Sequence, residues 1–310
     1  MSKSKVAATS GSTKVAELYG LPTFQVSDWK QVAAAEQCPF LCRKCLKNRK
    51  SSPNITIGTC TMTHGDGNAP VMICFARLLE RRQIFTDCIH LLTLHTPGNE
   101  LRIVTEVPVP GGSIDYCLVS VRDGKVKDFV GIELQTLDTT GTAWPERQRF
   151  LQAHGVSADP ADTSSKRGYG MNWKMTMKTA LMQLHHKIST FEHLNKHLVL
   201  VLQDQLLNHL KQDFSFDHIR EVRDEDKMRF HVYELRKEAK AYFLSLKEIL
   251  STDSDGITNC LKRRDSSEVE LGTILERIEK KLPKSAPLTV GDTASLPVPK
   301  SLDLAADDNS

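Results

Sequence analysis

The 310-residue sequence contains no apolar run approaching the roughly 18 residues that a transmembrane helix needs. Its opening stretch, MSKSKVAATSGSTK, is basic and rich in small residues but lacks the apolar segment of a secretory signal. The chain is therefore expected to remain in the cytoplasm, with no membrane partner. An excess of either charge sign is also missing. Lys and Arg number 41 against 38 Asp and Glu, a net charge of +3. That balance excludes no partner class, because a near-neutral protein can still carry a basic cleft. The basic runs CRKCLKNRK (42–50) and KRGYGMNWKMTMK (166–178) read, on their own, as solvated surface. No internal repeat is present. Residues 1–13 and 284–310 lack any apolar period, and the latter are rich in Pro, Ser and Asp, so both are expected to be flexible tails.

What remains has the makings of a globular core. A hydrophobic content of 40% with 25% charged residues is ordinary for a soluble protein, and the length suits one large domain or two modest ones. Residues 14–74 are short on regular pattern and hold Cys38, Cys42, Cys45 and Cys60, with Cys74 at their end. Residues 75–215 alternate helix-like and strand-like segments. Residues 216–283 read as mainly helical and charged, with one strand at MRFHVYEL (228–235).

The order within the middle part is informative. A helix is expected over 74–92, followed by strands at 101–109, 113–122 and 126–137. Asp123-Gly124 is a strong hairpin signal between the last two strands. A helix over about 172–194 then presents Trp173, Met177, Ala180, Leu181, Leu184, Ile188 and Phe191 at helical spacing, which lays one face on a sheet. Lys174 and Lys178 fall beside that stripe. HLVLVLQD (197–204) reads as a fully buried strand, suited to a parallel position in a covered sheet.

One strand carries an anomaly. In FVGIELQTLDTTG (129–141), Val130, Ile132 and Leu134 alternate with Gly131, Glu133 and Gln135, so a carboxylate and an amide share one face. With the turn at Asp123-Gly124, paired positions sum to about 247, which sets Asp115 opposite roughly residue 132. Asp115 and Glu133 are then neighbours. Like charges so placed destabilise a sheet unless a cation or a shared proton intervenes. A hard divalent ion such as Mg²⁺ meets that need, since it takes one or two carboxylates together with phosphate oxygens and water.

Asp followed by Glu-x-Gln, set in this order of helix, three strands, helix and strand, resembles the PD-(D/E)xK nucleases in their Glu-x-Gln variant. The resemblance implies that Asp115 and Glu133 bind Mg²⁺ at the scissile phosphate and that Gln135 orients the attacking water. Glu106, on the preceding strand, is a further candidate acid.

The cysteines supply a second pattern. Disulfides are not expected in the cytosol, so a metal site is the better account of QCPFLCRKCLKNRK, IGTC and VMIC. Four thiolates suit Zn²⁺ or iron and can hold together a segment without a core of its own. Spacing alone favours the Cys42-x-x-Cys45 knuckle. CPF, C-x-K, GTC and IC ahead of a helix, however, resemble the N-terminal metal site of NotI-type restriction endonucleases. That resemblance selects Cys38, Cys45, Cys60 and Cys74 and implies a single structural iron, with zinc open on ligand chemistry; Cys42 becomes a local extra. Cys88, Cys117 and Cys260 are expected to be inert core residues.

The NotI-like resemblance spans about residues 14–210. It implies an α/β (α+β) protein with a PD-(D/E)xK core, a central mixed sheet flanked by helices and an N-terminal metal-binding module of four cysteines. The implied activity is that of a type II restriction endonuclease. Such an enzyme cuts double-stranded DNA with Mg²⁺ at a short, palindromic, GC-rich site, leaving 5′-phosphate and 3′-hydroxyl ends. It also implies a homodimer, matching the two-fold symmetry of a palindrome, and a host DNA methyltransferase of the same specificity. Lys174 and Lys178 are candidate DNA contacts. Trp173 is read as core, and His185 and His186 are given no role. The competing expectations are a repair or recombination nuclease of the same fold, or a non-catalytic, metal-stabilised DNA-binding module.

Overall fold

The computed structural model describes residues 14–261, apart from 26, 50–51, 66–68, 141 and 166–167, together with 271–281. The two segments expected to be tails, 1–13 and 284–310, lie outside the described residues. The chain divides into two units, 1–262 and 263–310.

In chain order the main elements of the first unit are β1 (Val15–Leu18), β2 (Leu21–Pro22), α1 (Trp29–Ala35), β3 (Thr59–His64), β4 (Ala69–Met72), β5 (Glu100–Val109), β6 (Gly112–Arg122), β7 (Lys125–Gln135), α2 (Trp144–Ala153), α3 (Pro160–Ser164), α4 (Trp173–His193), β8 (Leu198–Gln203), α5 (Asp204–Asp213), β9 (Arg220–Glu221), β10 (Met228–Lys237), β11 (Tyr242–Thr252) and α6 (Ser254–Cys260). In the second unit, α7 (Leu271–Glu279) is amphipathic, with Leu271, Leu275 and Ile278 exposed at helical spacing.

A seven-stranded sheet runs in the order β9-β11-β10-β8-β7-β6-β5. The strands β7, β8 and β10 are parallel to one another, and the remaining pairs are antiparallel. The protein is thus a mixed α+β fold built on a large central mixed sheet flanked by helices. β8, Leu-Val-Leu-Val-Leu-Gln, is buried at every position, as a strand covered on both faces must be. One face packs on α4, α5 and α6 through Leu181, Leu184, Ile188, Phe191, Leu207 and Ile257. The other is covered by short helical turns between residues 75 and 91, through Leu78, Ile84, Phe85 and Leu91.

The hairpin forms at the expected turn, with Asp123 and Gly124 both at positive φ and Arg122 opposite Lys125. A bulge then leaves Lys127 unpaired and advances the pairing by one residue, to Ser120 opposite Asp128 and Tyr116 opposite Ile132. Asp115 is therefore carried to the row of Glu133 rather than that of residue 132.

Other expectations are corrected. No continuous helix spans 74–92. Glu80 leaves helical geometry, and Arg81 and Arg82 adopt left-handed φ. The break lets Glu80 turn back to accept from Arg77 Nη1 at 3.0 Å and from the Leu244 backbone N–H at 2.6 Å. The strand expected at 228–235 forms as β10, but the described residues of 216–261, otherwise expected to be helical, also supply β9 and β11 before α6. In β11 a bulge at Lys247, between Leu246 opposite Tyr233 and Glu248 opposite Val232, interrupts the alternation that marks a strand.

Residues 14–74 do not stand alone either. β1, β2, β3 and β4 form a small antiparallel sheet whose core of Val15, Leu18, Trp29, Met62 and Ile73 is completed by Ala143, Phe150 and Leu151 at α2. The helix α2 forms between the strand expected at 126–137 and the helix expected over about 172–194, where the sequence pattern assigns no element.

Candidate active site and cysteine cluster

Gly131, Glu133 and Gln135 lie on the face of β7 that meets α4. Gly131 is required there: a Cβ would come within 2.5 Å of Phe191 Cζ, so the missing side chain lets helix and strand close. Further along the same face, a cavity of about 190 Å³ opens between the β6–β7 hairpin and α4. It is lined by Ser113, Asp115, Glu133, Gln135, Gln183 and Lys187, among others. Two acids and the amide singled out in the sequence therefore share one cavity.

Each acid is held by one oxygen. Asp115 Oδ2 accepts from the Leu134 backbone N–H at 2.9 Å, and Glu133 Oε1 accepts from Lys187 Nζ at 2.7 Å. Among the described residues, Asp115 Oδ1 and Glu133 Oε2 have no hydrogen-bond partner. Asp115 is exposed, whereas Glu133 is buried at 8% exposure. Burial pushes the Glu133 carboxyl up to about 7; the Lys187 hydrogen bond and charge act downward, and the Asp115 charge adds to the rise. One lysine thus fails to offset the cost of burying this carboxylate beside a second one. Two carboxylates against one ammonium leave hard oxygen donors with an excess of negative charge, which fits Mg²⁺ in kind.

Gln135 Nε2 donates to Thr136 O at 2.7 Å, which leaves its amide oxygen available as an acceptor. Glu106 lies one strand over from the acid pair, on β5 in the row of Asp115. It is an exposed β5 residue at φ +55, where the pairing of β5 with β6 is interrupted between Thr105 and Val107, and it does not line the cavity. Lys174 and Lys178 are exposed on the first turns of α4, and Lys174 Nζ lies 3.9 Å from Asp213 Oδ1. Neither reaches the cavity. The cation that does is Lys187. Its signal in the sequence was position: it falls three residues after Leu184 and four before Phe191, on the apolar stripe rather than beside it.

Of the five N-terminal cysteines, Cys38, Cys60 and Cys74 are buried in one cluster with Ala76, and Cys45 packs against it. All four line a second cavity, of about 320 Å³, together with Tyr19, Thr59 and Asp138. Cys42 is exposed at φ +52, its thiol 3.6 Å from Pro39 O. Among the described residues, no group of three or more His, Cys, Asp or Glu side chains stands at metal-holding geometry. The four thiols are therefore gathered without being drawn into a ligand set. Cys88, Cys117 and Cys260 are buried in the main core, and burial pushes Cys117 up to about 11 and Cys260 up to about 12.

The family model of the restriction endonuclease NotI matches residues 25–246. The chain belongs to the NotI restriction endonuclease family. It is accordingly a site-specific deoxyribonuclease with DNA as its substrate. The NotI match takes in Cys38 to Cys74, Asp115 to Gln135, and Lys187. No curated protein matches the chain. No helix among the described residues is long and apolar enough to cross a membrane.

Proposed function

We propose that this NotI-family enzyme cuts both strands of DNA at a short, palindromic, GC-rich sequence and leaves 5′-phosphate and 3′-hydroxyl ends. Asp115 and Glu133 serve as Mg²⁺ ligands in a PD-(D/E)xK core. The observation that carries this reading is the acid pair itself: two adjacent carboxylates in one cavity, each with one oxygen tied to the protein and one without a partner among the described residues. Mg²⁺, when bound, supplies positive charge against the charge that builds on the phosphate and lowers the pKa of water.

The chain's own groups do the rest. Asp115, held by the Leu134 N–H, and Glu133, held by Lys187, keep their free oxygens fixed relative to one another. Gln135, its amide anchored on Thr136 O, accepts a hydrogen bond from the attacking water and so sets its direction. A neutral amide cannot take the proton at any physiological pH, so the proton leaves to solvent or to a substrate phosphate oxygen. Lys174 and Lys178 would meet phosphates outside the cavity. Glu106, in the row of Asp115 but outside the cavity lining, is kept as the further acid of this scheme.

Cys38, Cys45, Cys60 and Cys74 are proposed as the ligands of one structural iron or zinc, on the strength of their shared cluster and the softness of four thiolates. A two-fold dimer would match a palindromic site, and a host methyltransferase would protect the same sequence.

Incubation of the enzyme with Mg²⁺ and a long DNA of known sequence, followed by mapping of the ends, tests the proposal. Discrete fragments whose ends share one short sequence are expected. Random nicking, or cutting selected by DNA structure, would contradict it.

A further inference from the structure

Lys187 is buried, its side chain 5% exposed, yet it carries a charge onto the apolar stripe of α4. Its ammonium donates to two oxygens at 2.7 Å each, Glu133 Oε1 and the backbone carbonyl of Ser113. It therefore ties the helix to both strands of the β6–β7 hairpin at the acid pair.

The turn leading into β6 is shaped for this contact. Gly111 has φ +88, and a Cβ there would sit 2.6 Å from the backbone oxygen of His186. Gly112 has φ +140, and its Cβ would lie 3.3 Å from Lys187 Cε. Only glycine at both places lets the turn settle on α4 closely enough for Ser113 O to meet the ammonium.

We propose that Lys187 is the positioning residue of the acid pair. By engaging Oε1 it fixes the orientation of the Glu133 carboxylate and leaves Oε2 as the oxygen that faces a divalent cation. The inference rests on Asp115 and Glu133 being the metal ligands. A lysine that merely satisfied a buried carboxylate would make the same hydrogen bonds, so metal affinity and turnover must be read separately. A fixed positive charge beside a ligand carboxylate repels an incoming dication. Its removal should strengthen metal binding. The same removal frees the carboxylate to rotate, which should slow cleavage.

The experiment uses the full chain as wild type, Lys187→Met, Lys187→Arg, Asp115→Asn and Glu133→Gln. Mn²⁺ binding to the DNA-free protein is followed by electron paramagnetic resonance, and cleavage by single-turnover kinetics. Loss of the Mn²⁺ signal in Asp115→Asn and Glu133→Gln assigns it to the acid pair. The Met variant is expected to bind Mn²⁺ about threefold or more tighter, from lost charge repulsion. It should also cleave roughly tenfold or more slowly, from lost orientation. The Arg variant should stay nearer wild type on both. If the Met variant does not fold, Lys187→Gln, which loses the charge but keeps a hydrogen-bond donor, carries the expectation for Mn²⁺ binding, with a smaller loss of rate. Unchanged Mn²⁺ affinity and rate, or a parallel weakening of both that Arg does not relieve, would overturn the role of Lys187. If Asp115→Asn and Glu133→Gln cleave at wild-type rate, it is the acid pair that falls instead.

Discussion

Asp115 on β6 accepts a hydrogen bond at 2.9 Å from the backbone N–H of Leu134, the residue that follows Glu133 on β7. The second acid is thereby fastened to the strand that carries the first. Asparagine at 115 keeps a carbonyl to accept that N–H but removes the charge. Asp115→Asn is therefore expected to fold with unchanged thermal stability and to lose roughly 10²-fold or more in cleavage rate, the scale seen when a transition-state electrostatic partner is removed. Melting curves beside single-turnover cleavage check both halves.

The cysteine cluster predicts a contrast between close neighbours in the sequence. Cys45→Ser should lose the bound iron or zinc, because Cys45 packs in the cluster with Cys38, Cys60 and Cys74. Cys42→Ser should keep it, because Cys42 is exposed outside that cluster. Elemental analysis of the purified proteins decides, and the reverse result would make Cys42 the ligand.

Arg77 is fully buried and donates to Glu17 Oε2 at 2.9 Å, Glu80 Oε2 at 3.0 Å and Tyr242 O at 2.9 Å, joining β1, the broken helical segment and β11. Arg77→Met strands the Glu17 carboxylate, itself 1% exposed. A loss of about 3–5 kcal/mol is expected, as for other buried pairs broken on one side. The double variant Arg77→Met/Glu17→Gln should recover part of it in urea unfolding.

Acid should unfold the protein through two buried histidines. Burial pulls His231 down to about 3, helped by the charges of His90 and Arg229; burial and the charges of Arg229, Lys227 and His90 pull His197 down to about 4. Both are neutral in the folded state, while the unfolded chain takes up protons near pH 6.5. Unfolded molecules thus bind more protons between those values. Stability is full above about pH 6.5 and is lost as pH falls toward 4, at roughly 1.4 kcal/mol per pH unit for each histidine. Glu133, pushed up to about 7, acts in the opposite sense over part of that range. The check is therefore the difference in denaturant midpoint between wild type and His231→Leu, which should shrink as pH falls from about 6.5 toward 4.

Gly131→Ala places a methyl group 2.5 Å from Phe191 Cζ, between β7 and α4. Overpacking of this kind costs about 1–3 kcal/mol. Because the clash lies two residues from Glu133, the variant should lose cleavage rate as well as stability. Paired unfolding and cleavage assays would show it.

Much of the central sheet could be read from the sequence because its signals are local. The Asp123-Gly124 turn, the alternation along β7, the unbroken apolar run of β8 and the stripe of α4 each state their own structure. The candidate site was legible for the same reason, since Glu133 and Gln135 break an otherwise apolar pattern. What escaped depends on contacts distant in the chain. Arg77 pairs with Glu17 and Tyr242, so the break in the 74–92 helix has no local signature. The bulge at Lys247 hides the period of β11. Lys187 shows in the sequence only as a lysine placed on the apolar stripe, and what that placement is for emerges when Ser113 and Glu133 arrive beside it.

The most direct test of the acid pair as the metal site compares wild type and Glu133→Gln on one DNA fragment containing the mapped cleavage sequence. Binding is measured without divalent ions and cleavage after Mg²⁺ is added. Retained binding with cleavage reduced by about 10²-fold or more is the predicted result. Cleavage by Glu133→Gln at the wild-type rate would contradict it.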